Sequence, residues 1–248
     1  MGIDLAVIGG TGLYNFPGLQ DVQRRAVETP YGDASGAIVV GTLGGRTIAF
    51  LARHGEDHRH APHRVNYRAN VWALHEAGAR RMVGVNAVGG IRADMGPRVL
   101  CVPDQLIDYT SGRLSSFSDV EGSKVEHIDF TEPYSKSMRQ RLLVAAKRAS
   151  IPVVDGGCYG TTQGPRLETR AEIARMKRDG CDLVGMTGMP EAALARELGV
   201  DYACLALVAN WAAGCGDDAA ISIDEIFAHL HAATANVPPI ISALLATF

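Results

Sequence analysis

Four short apolar runs, at residues 3–8, 82–88, 183–186 and 202–210, constrain this chain most; each is followed by glycine or threonine or ends on asparagine. Continuous apolar runs of this length read as buried strands. Between and after them, residues 64–78, 135–150, 168–179 and 190–198 carry helical spacing, as do residues 223–245 with a bend or break at Pro238-Pro239. Strands alternating with helices argue for a mostly parallel sheet covered on both faces. Residues 37–43 and 47–52 flank Gly44-Gly45 as a hairpin, and 99–102, 106–109 and 153–163 are further extended segments. Residues 110–124 form a polar, Ser- and Gly-rich loop of a length usually functional or mobile. With no repeat, low-complexity tract or linker, residues 1–248 are expected to form one α/β domain. Its expected core is a mixed, mostly parallel twisted sheet flanked by helices.

Composition removes several function classes. Hydrophobic residues make up 47% and charged residues 21% of the chain, which suits a packed core rather than a disordered or fibrous chain. Lys plus Arg number 24 against 27 Asp plus Glu, so no basic excess points to nucleic acid or an anionic membrane. No apolar run is long enough to span a bilayer, and Met1-Gly2-Ile3-Asp4 lacks a basic leader region. The five cysteines are odd in number and form no CxxC pair, so neither a disulfide framework nor a zinc site of that kind is expected. The expected setting is the cytoplasm.

In open α/β sheets, ligands bind beyond the carboxyl ends of strands. Four such ends carry polar or glycine residues: 9–12, 86–90, 186–187 and 210. Gly9-Gly10-Thr11-Gly12 can aim several backbone N–H groups at one anion, and it equally suits a plain tight turn. It is not a Walker A loop, since no Gly-Lys-Ser/Thr follows. It is not a dinucleotide fingerprint, since a glycine is missing and Pro17-Gly18 interrupts the helix. Arg53-His54 supplies a planar fork and a second donor suited to phosphate, or a solvated strand end. His54, His58, His60 and His63 show no recognised metal-ligand spacing, so no metal is expected. Glu168 or Thr169 can cap the helix that follows. Asn210, an amide ending an apolar strand, requires partners that a ligand can supply.

Taken together, Ala6-Val7-Ile8-Gly9-Gly10-Thr11-Gly12-Leu13, Arg53-His54-Gly55, Val65-Asn66-Tyr67-Arg68-Ala69-Asn70, Gly164-Pro165-Arg166, Arg170-Ala171-Glu172 and Met186-Thr187 with Pro190-Glu191 resemble one family. It is the 5'-methylthioadenosine phosphorylase branch of the trimeric purine nucleoside phosphorylases, and the similarity runs from near residue 3 to about residue 235. The resemblance implies phosphorolysis of a nucleoside, with inorganic phosphate as co-substrate and no metal or organic cofactor. It also implies a homotrimer with active sites near subunit interfaces. By position it implies that Thr11, Arg53, His54, Asn86, Ala87 through its backbone, and Thr187 hold phosphate. Met186 would lie against the ribose, and His127 would reach the 5' end from a neighbouring subunit.

Departures from the family pattern sharpen the substrate. Adenine-specific members carry Asp at positions 210 and 212 and Ser at 168, where this chain has Asn210, Ala212 and Glu168. Glu and Asn resemble the 6-oxopurine members instead. A 6-oxopurine presents an N1–H donor to Glu168 and acceptors to Asn210, whereas adenine sets its N1 lone pair against the carboxylate. At the other end, Ile223 replaces a His that meets the 5'-hydroxyl in ordinary 6-oxopurine members, and an apolar branch there suits a methylthio group. Leu167 replaces a Phe beside the purine. The expected substrate is S-methyl-5'-thioinosine, with methylthioadenosine or plain inosine and guanosine as alternatives. Asn210 and Glu168 are the expected catalytic pair.

Overall fold

The computed structural model describes residues 2–10, 16–119, 122, 124–216 and 222–248. In chain order the strands are β1 (Leu5–Gly9), β2 (Gln20–Arg25), β3 (Ile38–Leu43), β4 (Arg46–Ala52), β5 (Arg81–Gly90), β6 (Leu100–Val102), β7 (Gln105–Asp108), β8 (Val154–Asp155), β9 (Cys158–Thr161), β10 (Leu183–Gly185) and β11 (Asp201–Trp211). The helices are α1 (Tyr67–Glu76), α2 (Lys136–Arg148), α3 (Arg170–Arg178), α4 (Glu191–Glu197), α5 (Ile223–Thr234) and α6 (Val237–Leu245).

Among the described residues, eleven strands join one mixed sheet. The hairpin β3–β4 and its neighbour β2 are antiparallel. From β4 inward, β1 lies parallel to β4 and β5, and β11 parallel to β5. The sheet forks at the end of β5, where Gly89 and Gly90 pair with β10 on one side and Asn210 and Trp211 of β11 on the other. The fold is therefore an α/β sheet flanked by helices, as the alternation of apolar runs and helical spacing implies.

Period-2 alternation buries both faces of the central strands. Leu5 and Val7 of β1 join Leu205 and Leu207 of β11 in a core closed by Leu142 of α2 and Ile240 of α6. Ala6 and Ile8 join Cys204 and Val208 in a second core closed by Val71 of α1 and Leu194 of α4. All five cysteines are free, and Cys101, Cys181 and Cys204 are buried as small core residues.

Three segments differ from their sequence expectations. β2 is exposed along its whole length, so Gln20–Arg25 carries no apolar period and is held by pairing with β3 and by the Arg24–Glu56 ion pair. The expected helix over 223–245 divides at residues 235–236, ahead of the prolines. Pro238 and Pro239 then sit in the first turn of α6, where a missing N–H costs nothing. The segment 153–163 breaks at Gly156-Gly157, both with positive φ, into the short strands β8 and β9.

Candidate active site

The carboxyl ends of β1, β5, β10 and β11 and one face of α5 enclose a cavity of about 460 Å³. Its strand-end wall includes Gly10, Arg53, His54, Ala87 and Thr187. Leu167, Glu168, Met186 and Asn210 line it as well. Thr11 lies outside the described residues.

Arg53 follows β4 and is 1% exposed. A guanidinium this deep must be paired. Nε donates to Glu191 Oε2 at 2.8 Å and Nη2 to Glu191 Oε1 at 2.9 Å, with further bonds to the carbonyls of Val85 and Ile8 and to Asn86 Oδ1. Burial alone would make Arg53 a weaker base, but the Glu191 carboxylate overrides this and holds its pKa above the ordinary value. Arg53 lines the cavity as well. Most of its fork is held by a buried carboxylate and by carbonyls, because an uncompensated charge at this depth is far costlier than a paired one. Tyr202 Oη donates to the same Glu191 at 2.7 Å, and Gly84 makes room, since a Cβ there would stand 2.0 Å from that hydroxyl.

Asn86 is paired in the same way. It is fully buried and absent from the cavity lining. Its Oδ1 accepts from Arg53, and its Nδ2 donates to Thr187 Oγ1 at 3.0 Å. With that lone pair filled, the Thr187 hydroxyl proton remains available to donate into the cavity. Glu191, Arg53, Asn86 and Thr187 form one chain of hydrogen bonds ending at the cavity wall. Ala87 is exposed to solvent although its strand neighbours are buried.

His54 Nδ1 lies 2.8 Å from the carbonyl of His60, and its ring stacks on His58 with centroids 4.4 Å apart. Burial, reinforced by the Arg53 charge, lowers its pKa to about 4. The neutral ring therefore donates from Nδ1 to the carbonyl and leaves Nε2 as an acceptor.

At the opposite wall, the register of β11 against β5 slips between Val208 and Asn210. The extra residue lets Ala209 and Asn210 both line the cavity, which regular alternation forbids. Asn210 Nδ2 donates to the carbonyl of Trp211 at 2.6 Å, leaving its second N–H and its Oδ1 for a ligand. Glu168 need not cap α3, because Thr169 forms a capping box with Glu172. The Glu172 carboxyl, bonded by Arg166 and by the Thr169 backbone, is held down to about 2. The Glu168 carboxylate is instead met by Thr162, whose hydroxyl donates to Oε1 at 2.6 Å.

Two expectations fall outside this cavity. Ile223 is the first residue of α5, 56% exposed and not part of the lining. Ile226, Phe227, Leu230 and Thr234 line it instead. They continue the helical stripe on which Ile223 lies one turn too early. His127 is exposed and outside this chain's cavity lining.

Arg113 was not visible as a functional candidate, because an arginine in a polar loop carries no local signal. Its guanidinium donates to the carbonyls of Met186, Met189, Thr162 and Gln163 at 2.5–3.1 Å. It ties its own stretch of chain, residues 110–119, to both the β9 and β10 ends. Glu191 had a partial signal, as the residue after Pro190 in a quoted motif, but its partner lies 138 positions away.

Residues 4–246 match the model of the phosphorylase superfamily. The chain belongs to the phosphorylase superfamily. A protein of Xanthomonas campestris pv. campestris named probable S-methyl-5'-thioinosine phosphorylase is 60% identical over 242 residues, 98% of this chain and 97% of that one. The 6-oxopurine nucleoside phosphorylase of Pyrococcus furiosus is 46% identical, covering 85% of this chain and 80% of its own. Among solved structures, a methylthioadenosine phosphorylase from an antarctic soil metagenomic library superposes with a TM-score of 0.93. It is 37% identical and covers 99% of this chain and 86% of its own. The Schistosoma mansoni methylthioadenosine phosphorylase in complex with adenine gives 0.92 at 32% identity, covering 99% and 91%. In this phosphorylase, the cavity at the strand ends is where the fold class places its ligands.

Proposed function

We propose that this phosphorylase cleaves S-methyl-5'-thioinosine with inorganic phosphate, giving hypoxanthine and 5-methylthioribose 1-phosphate. The carrying observation is one cavity lined by a carboxylate and an amide, Glu168 and Asn210, and by an apolar stripe on α5. The relatives named above for methylthioinosine and 6-oxopurine substrates support the same reading.

The groups divide the work as follows. Phosphate lies against Gly10, the Ala87 backbone, the Thr187 hydroxyl and His54, and the family resemblance adds Thr11, outside the described residues. A neutral His54 accepts from a phosphate P–OH through Nε2, while the buried Arg53 acts through its network. Glu168 accepts from the purine N1–H, and the Asn210 N–H donates to N7 or O6. Leu167 and Met186 flank base and ribose, and Phe227 with Ile226 receives the methylthio group. The C1'–N9 bond breaks as a phosphate oxygen bonds to C1', and the proton shed by monohydrogenphosphate is matched by one taken up by the purine. Fixed donors stabilise the departing purine, so catalysis is positioning and charge stabilisation. The proposal includes a homotrimer, with His127 reaching a neighbour's 5' end, in the cytoplasm, and no metal or organic cofactor.

Purine release from methylthioinosine and methylthioadenosine, each with and without phosphate, tests this reading. Phosphate-dependent hypoxanthine release with little adenine is the expected result. Dominant adenine release would overturn the base assignment, and release without phosphate would make the chain a hydrolase.

A further inference from the structure

Glu168 stands on the wall between two cavities. It lines the one described above and also a neighbouring cavity of about 520 Å³ that includes Thr162, Arg166 and Arg175. Only Thr162 contacts the carboxylate by hydrogen bond among the described residues. Its Oγ1 lies 2.6 Å from Glu168 Oε1 and 3.3 Å from the carbonyl of Gly185. A hydroxyl has one proton, and the shorter bond to a charged acceptor takes it. The backbone of Thr162 is itself held, its N–H by Gly185 at 2.8 Å and its carbonyl by Arg113 at 3.1 Å. The donor thus sits on a fixed frame, whereas a free Glu side chain keeps rotatable bonds and an open cavity behind it.

We propose that Thr162 is a positioning residue that sets purine specificity. By holding Oε1 from the neighbouring cavity, it leaves Oε2 as the oxygen that meets the base. That oxygen can only accept while the carboxylate is ionised, so it matches N1–H of a 6-oxopurine and opposes the N1 lone pair of a 6-aminopurine. Without the hydroxyl, the carboxylate regains its side-chain rotations and no longer presents one fixed oxygen to the base. This inference rests on Glu168 being the group that meets the base.

The test uses Thr162→Val, Thr162→Ala and Thr162→Ser beside Glu168→Gln in the full chain. The readouts are kcat and KM for methylthioinosine and methylthioadenosine at saturating phosphate, and KM for phosphate. Val and Ala are expected to lower kcat/KM for methylthioinosine roughly tenfold, mainly through KM. The methylthioadenosine value and the phosphate KM should move less than about threefold, and Ser should restore the wild-type preference. The Val variant combined with Glu168→Gln should be no less selective than Glu168→Gln alone. An equal loss on both substrates, or a preference unchanged in Val and Ala, would overturn the role of Thr162. If Glu168→Gln keeps the preference for methylthioinosine, the base assignment fails and this inference with it. If Glu168→Gln loses that preference while Val and Ala keep it, only the role of Thr162 fails.

Discussion

The two walls of the cavity are built on opposite principles. On the strand-end wall, Arg53 and Glu191 are 1% and 0% exposed, and each polar atom is answered by another, out to Thr187. On the helical wall, Phe227 lines the same cavity yet is 65% exposed, and α5 buries only Ala233 fully. The strand-end wall, where we propose that phosphate binds, is thus preorganised, and Arg53 or Glu191 cannot change singly without leaving a charge unpaired. The α5 wall, proposed to meet the 5' substituent, is made of side chains that can change at little cost to the fold. On that proposal, the arrangement keeps one reaction and lets the sugar substituent vary.

Breaking the first wall should have the largest effect. Glu191→Ala strands Arg53 in the core and should cost about 3–5 kcal/mol, read by denaturant unfolding; a loss under about 1 kcal/mol would show the wall to be less integrated than its geometry. Next comes the base end. Asn210→Ala should lower kcat by roughly 10²–10³ with an unchanged unfolding midpoint, as expected for a donor that acts mainly in the transition state. Asn210→Asp should move preference toward the 6-amino base, and an unchanged ratio of the two purines released would count against the hydrogen-bond assignment. The second wall should give a smaller, substrate-limited effect. Phe227→Ala should reduce kcat/KM for methylthioinosine about tenfold, leave inosine nearly unchanged, and leave the unfolding midpoint in place. Equal losses on both nucleosides would remove the contrast between the walls.

A further effect is on the pH dependence of stability. Unfolded His54 takes up its proton near the ordinary value of about 6.5, whereas the folded ring resists protonation down to about 4. Protonation therefore favours the unfolded chain. The contribution of the neutral ring is complete above the unfolded value and is lost as pH falls from there through about 4. Thermal unfolding between those limits should fall less steeply in His54→Asn than in the wild type.

The sheet was largely legible, because β1, β5, β10 and β11 are apolar on both faces and end in residues that only strand ends require. β2 was not, because a wholly exposed polar edge strand has no period to read. In the site, Glu168, Asn210, Met186, Leu167, Thr187, Ala87 and His54 come together as expected from ordered motifs. The internal partners of Arg53 and Asn86 were not legible because they lie far along the chain: Glu191, 138 positions from Arg53, and Thr187, 101 positions from Asn86. Ile223, chosen because it stands where ordinary 6-oxopurine members carry a His, lies one turn before the α5 residues that line the cavity.

Short-range pattern alone determined that this chain is an α/β protein with a ligand site at its strand ends, because burial and period act within a few residues. The resemblance to the phosphorylase family, not local pattern, supplied the carboxylate and the amide that we propose meet the purine. Only the tertiary structure decided which charges are spent inside and which face the cavity. That outcome depends on who meets whom across a hundred residues, and a buried charge accepts no arrangement but a paired one.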